Sequence, residues 1–561
     1  MKRSTANLVL AAALGLLISC NPLLVVPLPS GMADTPLVQH VPYTGSFTCT
    51  VDPGSTPRDV YFVFTNPSLS QNAAQLPGVS GVVSVDGFRL PAPASQPLPS
   101  CNSSPQSLIE RIAEFNRNPS EYLPAAPIPG PSAGRVSGIP AQNDTPGVTT
   151  GTFSLDLSAA TTVNATCQAV VGPVAFADGR TRTLSVWVDN SDWNVAGEVN
   201  AAMLGDIASR FLKGPTESIS DIYHWDTSVV GEPWGPQPYS NLISWDPNNT
   251  VTILLTHLNS SYSGGVIVGY FWAKDNFTSA SVPGSNQRIM FYIDSHLYAS
   301  LTGAETGYSP TNYWPKIVFS TLAHEFQHMI QFYQKQVVRG AATGTDTWIN
   351  EMCSMLMEDL VADDLGVEGP RGVSTGDAGS PGNTLGRIPY FNASSNSSLA
   401  VTGANFGLTD YALAYAFGAW LIRNYGGPSL VQRIVQCPQT DSTAVVNAAA
   451  AYSGRAESME RLLERWSASV LLSDSVNTPP GYRYNTGGWI GVAMGSQVFN
   501  LGSIDFFNYN PPLATYSNAA TIPAPPYYSS NTYFLAAKGL RSPRAFSVTL
   551  PTGVDMSIVL K

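Results

Sequence analysis

The sequence predicts an α+β chain with a helical middle section between β-rich ends, and three observations carry that reading. The 561 residues exceed the usual single-domain limit and point to two or three domains. Pro (44) and Gly (48) are abundant; they break helices and build turns, so much of the chain should be short strands joined by loops. Apart from one stretch at residues 107–117, helical periodicity is confined to residues 195–471.

The first residues read as a targeting segment. Lys2 and Arg3 form a positive start, and residues 7–18 form an apolar run. The run ends in Leu17-Ile18-Ser19-Cys20, which resembles the bacterial lipobox; that resemblance implies cleavage before Cys20 and acylation of its thiol. The alternative is ordinary signal cleavage after Gly31-Met32-Ala33. Either route predicts export, as a cell-surface or outer-membrane lipoprotein in the first case and as a secreted protein in the second. No later apolar stretch reaches about 18 residues, so no spanning helix is expected and membrane contact rests on the lipid anchor. Cys49, Cys101, Cys167, Cys353 and Cys437 remain after Cys20. Export permits disulfides, the first three could pair among themselves, and an odd count leaves at least one thiol unpaired.

Residues 34–180 are expected to form a β-rich accessory domain, with strands at 60–64 and 81–85, the helix at 107–117 and a Pro/Gly/Ser-rich linker at 119–151. The texture changes near residue 181. A strand at 184–188 leads to a helix at 195–212 with Met203, Leu204, Ile207 and Phe211 on one face. Strands follow at 251–255 and 288–293, then helices at 315–338, 348–362 and 410–425. A Gly/Ser/Asn loop at 369–407 separates the last two, and loops that long are often functional. This unit is expected to span residues 181–475, with 476–561 returning to strands.

Charged residues are few, at 12%, and the net charge is −11. With no dense Lys/Arg stripe, the chain would repel nucleic acid rather than bind it.

His324-Glu325-Phe326-Gln327-His328 is the most informative segment. Two His at i and i+4 stand on one helix face, so both imidazoles can reach a single cation. Glu325 can take a proton from a metal-activated water without occupying the metal. With 6 His and 39 acidic residues in 561, chance places two His flanking an acid at this spacing only about 0.005 times per chain. Val318, Phe319, Leu322, Phe326, Met329 and Ile330 make the helix apolar all round, and a buried helix does not carry two His and a Glu without a use for them. Zinc suits imidazole and carboxylate donors, so Zn2+ is the expected cofactor. A third protein ligand is then required, and Glu351 in Trp348-Ile349-Asn350-Glu351, on the next helix, is the candidate. A plainer reading makes Glu351 a helix N-terminal carboxylate. Glu358, one heptad later, is either the ligand instead or a group that orients a His.

The stretch from Leu322 to Ile330, followed by Thr347-Trp348-Ile349-Asn350-Glu351-Met352, resembles the hyicolysin family of bacterial extracellular metallopeptidases, within the gluzincin clan. The resemblance covers roughly residues 181–434. It implies a zincin-like catalytic domain, zinc held by His324, His328 and Glu351, and Glu325 as general base. Tyr415-Ala416-Phe417-Gly418-Ala419 is similar to the Tyr-x-x-Gly-Ala stretch of gluzincin aminopeptidases, in which a Tyr hydroxyl binds the developing oxyanion. That likeness implies the same role for Tyr415, although Phe417 stands where a Lys usually sits; core packing is the alternative.

Other signals are weaker. Asp359, Asp363 and Asp364 read as a solvated helix face. Gly372-Val373-Ser374-Thr375-Gly376 matches a nucleophile pattern but lies in the long loop with no His after it, so a Ser triad in the usual order is excluded. The strand at 288–293 is a candidate edge on which an extended substrate could add by β-augmentation. The sequence therefore predicts an extracellular zinc endopeptidase acting on proteins or peptides. The alternatives are a surface adhesin or binding lipoprotein on a degenerate peptidase fold, and an aminopeptidase. The latter would need an acidic anchor of the Gly-x-Met-Glu-Asn type, which is missing.

Overall fold

The computed structural model describes residues 23–26, 36–41, 45–69, 84–86, 88–89, 108–118, 121–123, 142–176, 179–213, 220–244, 248–258, 266–401, 406–517, 528–550 and 552–561. Cys20 and Cys101 lie outside them, as does most of the strand expected at 81–85.

In chain order the elements are β1 (Leu23–Val26), β2 (Leu37–Val41), β3 (Gly45–Val51), β4 (Arg58–Asn66), β5 (Ser84–Val85), β6 (Phe88–Arg89) and α1 (Leu108–Arg117). Then come β7 (Thr150–Ser154), β8 (Thr162–Ala175), β9 (Thr181–Asp189), α2 (Ala201–Phe211), α3 (Ile222–Val230), β10 (Thr250–Thr256), β11 (Gly269–Tyr270), β12 (Ile289–Asp294) and α4 (Ser295–Ala299). The helical section holds α5 (Tyr313–Phe332), α6 (Thr347–Leu365), α7 (Ile388–Ala393), α8 (Leu408–Asn424), α9 (Pro428–Val435), α10 (Ser442–Ser453) and α11 (Met459–Leu471). The chain closes with β13 (Trp489–Met494), β14 (Gln497–Gly502), β15 (Ser530–Leu540), β16 (Arg544–Leu550) and β17 (Asp555–Leu560).

The two β-rich ends are one unit, not two. Their strands alternate in a four-stranded sheet ordered β15-β4-β17-β2 and a five-stranded sheet ordered β1-β3-β16-β5-β6. Phe47, Phe62, Phe64, Phe546, Val548 and Ile558 share its core, with Phe62 edge-on to Phe546 at 5.2 Å. Alternating hydrophobicity marks each strand but not its partner, so pairings between the chain's two ends leave no local trace. This sandwich docks on α11, where Thr65 Oγ1 donates to Ser467 and Lys561 Nζ to the Leu471 carbonyl.

A second correction concerns residues 150–175. β7 and β8 belong to the central sheet, ordered β11-β12-β10-β9-β8-β7, rather than to an accessory domain. β9, β10 and β12 run parallel and are almost wholly buried, which explains their unbroken apolar runs. The strand at 288–293 is not an edge strand: β10 flanks it along its length and β11 covers Tyr292 and Ile293, and the edge strands of the sheet are β11 and β7. α5 lies against this sheet and α6 against α5, while α8 packs on α6 so closely that a Cβ on Gly418 would sit 2.6 Å from Met352 Cγ. Gly366, left-handed at φ 66, ends α6. The long loop also has internal structure. Buried Arg371 donates to the carbonyls of Val373 and Ser503, and α7 follows. Among the described residues Cys49, Cys167, Cys353 and Cys437 are free, and Cys49 and Cys167 lie in different cores. No helix of the described residues is long and apolar enough to cross a membrane.

Candidate metal centre

α5 begins with Pro315 in its first turn and is apolar on all sides, so it runs through the core. Its i, i+4 geometry brings the His324 and His328 rings to 4.8 Å between centroids. α6 folds back beside α5 and turns Glu351 toward both imidazoles: Glu351 Oε2 lies 3.2 Å from His324 Nε2 and 3.5 Å from His328 Nε2. One donor atom from each residue lies within 4.8 Å of the other two. Donors sharing one tetrahedral zinc at about 2.0–2.2 Å stand roughly 3.3–3.6 Å apart, so two imidazoles and this carboxylate fit such an ion.

The far side of each imidazole is also held. Glu358 Oε1 is 2.7 Å from His324 Nδ1, and its other oxygen accepts from Ser320 Oγ. Of its two candidate roles, Glu358 thus occupies the orienting one. Asn350 Oδ1 and Ser354 Oγ each lie 3.1 Å from His328 Nδ1. Such partners fix ring orientation and raise ligand basicity. Neither Asn350 nor Ser354 was singled out for this from sequence, although Asn350 is part of the Asn-Glu pair.

The electrostatics describe a site built around positive charge. Burial would push His324 down, yet its hydrogen bonds to Glu351 and Glu358 hold it well above the usual imidazole range. Burial would push Glu351 up, yet His328 and His324 hold it well below the usual carboxylate range. Without a cation, protons take that place. Glu325 differs: burial outweighs the neighbouring imidazoles and pushes its carboxyl up, with a partial offset from a hydrogen bond donated by the Phe271 N–H. A carboxyl so raised is better matched to accepting a proton near neutral pH.

These four residues face a cavity of about 140 Å3, whose walls include Tyr270 and Phe271 of the sheet edge and Tyr411 of α8. Tyr415 is not there. It is fully buried among Asp359, Arg371, Arg423 and Tyr509, and its hydroxyl has no hydrogen-bond partner among the described residues. Tyr411, one turn earlier, lines the cavity with Glu351, and burial first, then the charge of Glu351, holds its phenol well above the usual range; Arg387 lies over its ring at 5.2 Å. Gly418, part of the stretch that drew attention to Tyr415, answers to close packing on α6. Asp359 is also not a solvated face; it pairs with Arg423 at 3.0 Å, both buried. Asp364 alone is exposed, and Asp363 accepts from Asn500 Nδ2.

A helix bearing two imidazoles and a carboxylate, completed by a carboxylate from the next helix, defines a single-metal hydrolase of the metallopeptidase class. The chain belongs to the peptidase M30 family, whose model matches residues 164–561. It is 29% identical to the neutral metalloprotease ShpI of Staphylococcus hyicus over 211 residues, 36% of this chain and 42% of that protein. The alignment thus spans less than half of that relative. Among solved structures, a mutant M1 zinc metallopeptidase from Deinococcus radiodurans aligns over 54% of this chain and 51% of its own, at 11% identity and a TM-score of 0.30, too low to add to the assignment.

Proposed function

We propose that this protein is an exported zinc endopeptidase. The observation that carries the reading is the convergence of His324, His328 and Glu351 on one point, with Glu325 at the same cavity. A zinc ion held by those three would polarise the scissile carbonyl and lower the pKa of a coordinated water toward about 7. Glu325 takes the proton of the attacking water at its carboxylate and passes it to the leaving amine. Its buried position shields that proton from bulk solvent. Glu358 and Asn350 hold the imidazoles in register. Tyr411, in place of Tyr415, presents its hydroxyl where charge develops on the carbonyl oxygen. Substrates are proteins or peptides.

Export through the lipobox, with Cys20 acylated, is part of this proposal. β1 supports it, since cleavage after Ala33 would remove a strand that pairs with β3. Mass spectrometry of the native N-terminus should find acylated Cys20, and a mature chain beginning at Asp34 would refute it. For the activity, a casein assay should lose its signal with a zinc chelator and regain it with added zinc. Turnover insensitive to chelator would refute the metal mechanism.

A further inference from the structure

β11 is the edge strand of the central sheet on the side of the metal site, and the chain continues from it through Phe271 to Ala273 beside the Glu325 carboxyl. An extended peptide pairing with this edge would use the Phe271 carbonyl and the Ala273 N–H, spaced two residues apart as in any strand ladder. Both are already engaged by one side chain. Asn116 Nδ2 donates to the Phe271 carbonyl at 2.9 Å, and Asn116 Oδ1 accepts from the Ala273 N–H at 2.9 Å. A carboxamide has the donor and acceptor of a peptide group, so Asn116 stands in for one residue of a bound strand.

The rest of α1 spans the mouth of the cleft. On the sheet side Phe115 packs edge-on to Phe277 at 5.7 Å. On the other side the Arg117 carbonyl accepts from Gly344 N at 2.8 Å, in the loop that leads to the ligand helix α6. Between these anchors Ile109, Ile112 and Ala113 line the same cavity as His324 and Glu325. The space beneath, about 140 Å3, is well short of the roughly 300–1,000 Å3 of pockets that enclose even a drug-sized ligand. α1 also lies outside the stretch that matches the family, which starts at residue 164.

We infer that α1 is an intramolecular inhibitor. It occupies the substrate's edge pairing through Asn116, and its displacement opens the cleft to an extended peptide. No bond is made or broken, and the metal donors keep their places. This rests on the peptidase reading, but closure of the cleft is measurable apart from turnover.

Two full-length variants test it from opposite sides of the cleft. Asn116→Ala removes both edge bonds. Gly344→Ala builds a Cβ 2.6 Å from Arg117 Cα and pushes α1 away without touching the edge or the donors. Each should speed amide exchange at Ala273 and zinc extraction by a chelator. Each should also raise kcat/KM on a ten-residue peptide by about tenfold or more, the scale of losing one to two hydrogen bonds. Faster exchange and extraction with no peptidase activity in any form would leave closure standing and overturn the peptidase reading instead. The inference is overturned if neither variant alters exchange or extraction. It is equally overturned if both, folded and zinc-loaded, lose turnover, for then α1 is a wall of the substrate site.

Discussion

Tyr411 and Tyr415 sit one turn apart on α8, the first at the cavity and the second in the core, and the proposal gives only Tyr411 a part in catalysis. Tyr411 lines the metal cavity together with Glu351, whose charge acts on its phenol. Tyr411→Phe removes a donor acting on developing charge, a loss typically of about 2.7–4 kcal/mol, or roughly 10²–10³-fold in kcat. Because that charge appears mainly in the transition state, KM should change less than kcat. The Tyr415 hydroxyl is fully buried with no partner among the described residues, and a buried unpaired polar group costs about 1–3 kcal/mol. Tyr415→Phe removes that cost while keeping the ring, so its melting temperature should hold or rise and its kcat should match wild type. Both variants would be assayed on one peptide, with zinc content and thermal unfolding measured alongside. A large kcat loss in Tyr415→Phe with Tyr411→Phe unaffected would refute the assignment. A lowered melting temperature in Tyr415→Phe would refute the claim that its hydroxyl is unpaired.

Two further predictions follow from other parts of the molecule. Glu358→Gln keeps the shape behind His324 but removes the carboxylate, and zinc affinity measured by chelator competition should fall about 10–100-fold; unchanged affinity would show Glu358 to be incidental. At the docking surface of the sandwich, burial first, then Glu464 and Glu460, push Asp555 up to about 6. A raised folded-state value stabilises the protein fully below the ordinary 3.8 and is lost as pH rises through about 6. His40 acts in the same direction: burial would lower it, but its hydrogen bond to Glu464 raises it above 6.5. The stability of Asp555→Asn relative to wild type, from denaturant midpoints, should therefore grow between pH 4 and about 7; a difference flat with pH would refute the sign.

What the sequence disclosed divides by distance along the chain. The His324/Glu325/His328 set was legible because helix periodicity alone places the donors on one face, and Glu351 because it opens the helix that folds straight back. Glu358 was visible as a candidate, since seven residues return a side chain to nearly the same face. Asn116 was hidden, because its partners at Phe271 and Ala273 are some 155 residues away and are backbone atoms that carry no residue identity. The sandwich was hidden for a similar reason: β4 pairs with β17 and β15 across almost the whole chain. Asp359 read as a surface acid because its counter-ion, Arg423, lies on α8 and shows no spacing relation to it. Tyr415 drew attention through Gly418, whose missing side chain serves helix packing rather than chemistry.

In the proposed mechanism Glu325 moves the proton while His324, His328 and Glu351 hold the metal. Glu325→Gln separates these roles, since it changes the base and leaves all three donors. Purified Glu325→Gln should carry about one zinc per chain, as wild type should, while turnover falls by about 10²-fold or more. Near-normal turnover at full zinc occupancy would contradict that mechanism.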